Sequence, residues 1–187
     1  MGIPQILTGL AVHRHNELER EQRFSSVVRT LSRNIRERMS TFEHGLRGAR
    51  GAVIGAGSGL ISRDRFTLYS RSRDYSREFP GVLGYGYIHR VAPADEAAFL
   101  QTARAGGAPD IHRRPLAPWA GERFIVLYFE PESSGNRPIG LDIASEPRRR
   151  AAALQASRSG APIMTAPKNS GIAKLCVADN RTMRRFV

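Results

Sequence analysis

Three groups of residues in the 187-residue chain are of types that do chemistry. The first is the run Gly55-Ala56-Gly57-Ser58-Gly59, which follows the apolar Ala52-Val53-Ile54. Glycines at such spacing let a backbone approach a pyrophosphate at a helix N-terminus. That use needs a further glycine at position 60, and Leu60 stands there. The residues before the run continue a helical pattern, and no later strand ends in an acid at the right distance. The run therefore reads as a loop that ends a helix. The second group is the acids Glu130, Asp142 and Glu146. Paired carboxylates act as acid and base in hydrolysis. No spacing brings two of these together, and no nucleophile–base pair accompanies them. Solvation and loop capping account for most of them. Glu130 differs, because it follows an apolar and aromatic run at the mouth of a strand. The third group is His13, His15, His44, His89 and His112 with the single Cys176. The histidines form no H-x-x-H or H-E-x-x-H pattern, and one thiol makes neither an internal disulfide nor a zinc site. No metal, cofactor or catalytic activity is expected.

Composition narrows the class further. Apolar residues make up 41% of the chain, enough for a packed core. The net charge of +12 directs attention to nucleic acid or an anionic membrane surface. Only Lys168 and Lys174 are lysines, so arginine supplies the other 27 of 29 basic side chains. Such a skew reflects genome composition more often than binding. The arginines are spread along the chain with acids between them, and the main clusters are Arg148-Arg149-Arg150 and Arg184-Arg185. A nucleic-acid footprint concentrates on one face or motif. No nucleic-acid partner is expected, and a small basic nucleic-acid-binding protein is the alternative reading.

The elements around Glu130 follow from hydrophobic spacing. Apolar residues at Phe24, Val28, Leu31, Ile35, Met39, Phe42, Leu46, Ala49 and Val53 recur in steps of three and four. This is one face of a helix over residues 17–53, roughly 37 residues or about 55 Å long. Arg38 and Gly45 interrupt the seam, so the helix is expected to pair over part of its length. Residues 3–12 are mostly apolar but fall short of the ~20 residues that span a bilayer. A further helix is predicted from Ser62 to about Arg77, with Ser62 as cap and Phe66 and Tyr69 on its apolar face. Strands are predicted over 82–91, 111–116 and 123–130, the last being the strongest. Helices are predicted over 93–105 and 147–159, the second with Pro147 in its first turn and Gly160 at its end. The order lacks the regular βαβ period, which points to an α+β domain with an antiparallel sheet.

Between Phe79 and Pro167 the chain resembles a CHASE domain. The resemblance rests on an ordered series over about 90 residues. Phe79-Pro80-Gly81-Val82, Gly84-Tyr85-Gly86-Tyr87-Ile88 and Arg90-Val91 look like its first strand. The helix of form P-A-D-E-x-x-F from Pro93 to Phe99 follows. Tyr128-Phe129-Glu130-Pro131, Asn136 and Gly140-Leu141-Asp142-Ile143 come next, then Ser145-Glu146-Pro147-Arg148-Arg149, Ala153-Leu154, Ala156, Gly160 and Thr165. The resemblance implies a PAS-like sensory module on a long N-terminal helix, lying outside the cytoplasmic membrane in a receptor whose cytoplasmic part is a histidine kinase or a cyclase. It implies a small-molecule ligand, a pocket lined by Tyr85, Tyr87, Phe124, Val126, Tyr128, Glu130, Leu141 and Asp142, and no enzymatic activity. Plant members grip adenine with an aspartate near the end of the central strand. Here that neighbourhood reads Glu130-Pro131, which departs from cytokinin recognition. The physical logic is aromatic faces at Tyr85, Tyr87 and Tyr128 to stack a planar ligand, with Glu130 orienting it.

Four segments are therefore expected: residues 1–16 as a remnant of a transmembrane helix, 17–56 as a stalk that makes a homodimer, 60–167 as the sensor domain, and 168–187 as an atypical tail. Both lysines and the cysteine fall in that tail, an abrupt shift expected of a frameshifted or truncated product that lacks the last strands of the sheet.

Overall fold

The computed structural model describes residues 3–57, 60–82, 84–130, 138–165 and 175–176, with side chains described from residue 16 onward and not at 175–176. Helix α1, Ile3–Gly55, is one continuous element of 53 residues. It contains the helix predicted over residues 17–53 and extends before it. Among the described residues no helix is long and apolar enough to cross a membrane. The chain divides into two compact units, residues 1–42 and residues 43–187.

In the first unit the apolar stripe of α1 is uncovered. Phe24 is 71% exposed, and Leu31 and Ile35 are more than half exposed. In the second unit the same stripe continues as Leu46, Ala49 and Val53, all buried. The periodicity is thus one signal with two outcomes. Gly45, which breaks the stripe in sequence, lies tightly against Tyr85 and Phe79. A Cβ there would run into the Tyr85 hydroxyl and lie 2.7 Å from the Phe79 ring.

Helix α2, Arg63–Arg71, starts as predicted, with the Ser62 side chain accepting the Arg65 N–H. It stops earlier than predicted. Asp74 caps a separate short helix α3, Tyr75–Glu78, by accepting the Arg77 N–H at 3.1 Å. A short acceptor side chain that caps a new turn competes with continuing the old one.

Strand β1 is Tyr85–Val91. After a 3₁₀ turn at Pro93–Asp95 comes α4, Glu96–Ala105. Strands β2, Arg114–Pro115, and β3, Arg123–Glu130, follow, then β4, Leu141–Asp142. A 3₁₀ turn at Ile143–Ser145 leads to α5, Pro147–Ser159, whose cap Glu146 accepts two backbone N–H groups. Strand β5, Ile163–Met164, pairs antiparallel with β6, Leu175–Cys176. The rest of the predicted tail lies outside the described residues.

The main sheet has the order β1-β3-β4-β2. Its β1–β3 and β3–β4 pairs are antiparallel, as expected, but β2 runs parallel to β4. The sheet is therefore mixed. The crossover works because Gly140, at φ +81, turns the chain tightly against the His112 carbonyl, a place no Cβ fits. Strand β3 lies at the centre with seven of its eight residues buried, which is why its sequence runs apolar without alternation.

Candidate ligand-binding site

Strand β3 does not keep one side chain alternation along its length. Tyr87 stands opposite Tyr128, yet the next residue, Ile88, stands opposite Val126. Leu127 is the extra residue, a bulge that shifts the alternation by one. Residues on either side of it therefore serve different faces of the sheet.

On one face lie Tyr85, Tyr87, Tyr128 and Glu130. Tyr85 is directly opposite Glu130, and the Tyr87 and Tyr128 rings stack at 6.2 Å and 25°. Helix α2 covers them. Its Phe66 ring is 6.2 Å from Tyr87 and 5.8 Å from Tyr128. Thr67 donates its hydroxyl to Glu130 Oε1 at 2.8 Å, and Arg63 Nη2 is 3.8 Å from the same oxygen. The Arg63 guanidinium also sits 5.8 Å over the Tyr128 ring. Glu130 is 8% exposed, so this is a sheltered acid held by one hydroxyl and one cation. The Tyr128 hydroxyl donates to the Gly106 carbonyl at 3.1 Å, and the Tyr87 hydroxyl lies 3.4 Å from His89 Nδ1.

The other four residues of the expected lining are elsewhere. Phe124 and Val126 join Ile88, Ile143, Ala144 and Ala153 in a cluster on the opposite face, with Leu141 packed against it. Asp142 is fully buried within the sheet. Its Oδ1 accepts the N–H groups of Phe124 and Ala144, each at 3.1 Å, and Oδ2 is 3.0 Å from Arg113 Nε. Asp142 thus joins β3, β4 and the segment before β2. The eight residues do not line a single space, because the bulge at Leu127 divides them.

Next to Tyr85 lies a second polar group that the sequence did not single out. The Tyr85 ring is 5.4 Å from Tyr75 and 5.7 Å from Phe79, and Arg73 sits 5.2 Å over Phe79. Arg73 is paired with Glu78 through Nη2. Burial pushes the phenols of Tyr69, Tyr75, Tyr85 and Tyr128 upward from their ordinary value, so each stays protonated in neutral solution. The sequence signal that pointed here was the apolar face of α2, which carries Phe66 and Tyr69; Thr67, Arg63 and Arg73 carried no motif.

The arginines are extensively used inside the fold. Arg123 is paired with Glu96, Arg90 with Glu122, and Arg113 with Asp142. In the 148–150 run, Arg149 is 4.0 Å from Glu146 and Arg150 lies 3.8 Å over the Trp119 ring. The cluster at 184–185 lies outside the described residues. Among the described residues no group of three acids, histidines or cysteines is arranged to hold a metal.

By fold the chain is an α+β domain built onto a long helix, with a covered aromatic and acidic face on its sheet. The family model of the CHASE domain matches residues 59–170. The chain belongs to the CHASE domain family, a family of extracytoplasmic sensory domains of membrane receptors. No curated protein matches it.

Proposed function

We propose that the chain is the extracytoplasmic sensing part of a membrane-bound receptor. A small molecule binds on the sheet face of Tyr85, Tyr87, Tyr128 and Glu130, and α1 carries the signal. The protein has no catalytic role of its own. The observation that carries this reading is the placement of Glu130. It sits nearly buried at the end of the central strand and is tied to α2 by Thr67 and Arg63. Helix α2 follows α1 after a short link, so an event that changes its tie to the sheet acts next to the stalk. A ligand shifts the balance between two arrangements only by binding them unequally. A contact that competes for Glu130 satisfies that condition, because it exchanges protein partners for ligand partners.

The stalk reading is supported by the uncovered stripe at Phe24, Leu31 and Ile35. Apolar residues at helical spacing on an exposed face suit pairing with a second copy. The receptor setting, a site beyond the cytoplasmic membrane, is supported by the family and predicts that a reporter fused to the chain in its receptor is active only outside the cytoplasm.

The test is a thermal-shift screen of small metabolites on the whole chain, repeated with Glu130→Gln. At least one compound is expected to raise the melting temperature of the wild type, and Glu130→Gln is expected to lose most of that shift. No stabilisation by any compound, or an equal shift in the variant, overturns the reading.

A further inference from the structure

The sheltered polar groups on and beside the Tyr85 face fall into two sets. Glu130, Tyr87 and Tyr128 have partners within the protein. The Tyr69 hydroxyl, the Tyr85 hydroxyl and Arg73 Nε are buried and have none among the described residues. Tyr85 as a whole is 6% exposed. The three atoms come from α2, the link after it and β1, and they gather beneath α1. The Tyr85 hydroxyl abuts Gly45, and the Tyr69 hydroxyl stands 3.0 Å from where a Gly48 Cβ would be, one turn further on. Arg73 sits over the Phe79 ring, which is itself in contact with Tyr85.

Burying a donor without an acceptor is costly, and folded proteins rarely leave three together. Each of the three has a proton to donate, and one of them can do nothing else. A guanidinium Nε only donates. The two phenols are kept neutral by burial, so each keeps its proton and can donate it to an acceptor. Arg73 Nη2 is already matched by Glu78, while Nε has no partner among the described residues. What suits such a set is an acceptor-rich group that is planar or compact and carries negative charge.

We infer that Tyr69, Arg73 and Tyr85 form a donor subsite for the carboxylate of a small organic acid, beside the aromatic face of Tyr87 and Tyr128. This rests on the reading of that face as a ligand site and names the class of ligand. A carboxylate takes one hydrogen bond from Arg73 Nε and one from each phenol. The apolar part of the acid then lies toward the rings of Tyr75, Phe79 and Tyr85. The subsite is placed where the sheet meets α1, so occupancy is sensed at the glycine positions of the helix.

The probes are acetate and benzoate, with acetamide and benzamide as neutral controls of the same shape. Calorimetric titration and thermal shift are run on the whole chain and on Tyr69→Phe and Tyr85→Phe. The acids are expected to bind and stabilise the wild type, and the amides to do so far less. Each phenylalanine variant is expected to weaken acid binding about tenfold or more, the loss for one hydrogen bond to a charged group. Each is also expected to raise the melting temperature of the unliganded chain, because it removes an unpaired buried hydroxyl. Acid binding that survives both variants, amides that match the acids, or unliganded variants that melt lower than the wild type overturn the inference. If other compounds stabilise the chain through Glu130 while no acid does, the donor subsite is wrong and the sensor reading stands. If no compound of any kind binds, both fall.

Discussion

At the scale of single residues, the sheet's carboxylates have opposite duties. Asp142 is fully buried and satisfies two backbone N–H groups and one guanidinium, so its removal leaves two buried donors unmatched and takes the carboxylate from the half-buried Arg113. Losing one partner of such a pair costs about 3–5 kcal/mol. Asp142→Ala is expected to lower stability by that order in urea unfolding, and a loss below ~1 kcal/mol would show that solvent takes over the role. Among the described residues the Glu130 side chain has Thr67 and the more distant Arg63, so Glu130→Gln leaves the Thr67 contact available and is expected to cost far less. The sequence separated Glu130 from the other acids by its place at a strand's end. The family resemblance nevertheless placed Asp142 in the same pocket, because no local pattern tells an acid that caps strands from one that meets a ligand. That distinction is made by Arg113 and the Phe124 N–H, which are 29 and 18 residues away in the chain.

At the scale of elements, glycines in α1 separate two uses of the same residue. Gly51 has nothing within 4 Å of its missing Cβ, whereas Gly45 faces the Tyr85 hydroxyl and the Phe79 ring. Gly51→Ala is expected to stabilise the chain by about 0.5–1 kcal/mol through helix propensity alone. Gly45→Ala gains the same propensity term but overpacks a tight contact, which typically costs about 1–3 kcal/mol. Its net effect is expected to be destabilising, and the two variants should shift the urea midpoint in opposite directions. Equal shifts would mean that the Tyr85 side chain moves aside freely. The long helix, β3 and α5 were readable because each carries a sustained pattern or a capping signal. The split between α2 and α3 was not, since Asp74 reads equally well as a helix residue and as a cap. A strand over 111–116 was expected, but the parallel direction of β2 within it was hidden as well. Two-residue strands have no periodicity, and their direction depends on the turn at Gly140.

At the scale of the whole molecule, one stripe on α1 is covered in one unit and bare in the other. Leu46, Ala49 and Val53 are buried, while Phe24, Leu31 and Ile35 are not. The proposed pairing of stalks predicts that the whole chain sediments as a dimer at micromolar concentration, and that Leu31→Lys with Ile35→Lys makes it a monomer. A wild-type chain that is monomeric under those conditions removes the pairing from the proposal. The positive net charge carries less meaning at this scale than composition suggests, because the body uses many arginines in internal pairs and carbonyl contacts. The bulge at Leu127 has a consequence of another kind. The strand on either side of it obeys the same rule of alternation, but out of phase by one. Replacing a letter in this strand disturbs one contact, whereas adding or deleting a letter exchanges inside for outside for everything up to the acid. Variation here is thus channelled into spelling and away from length.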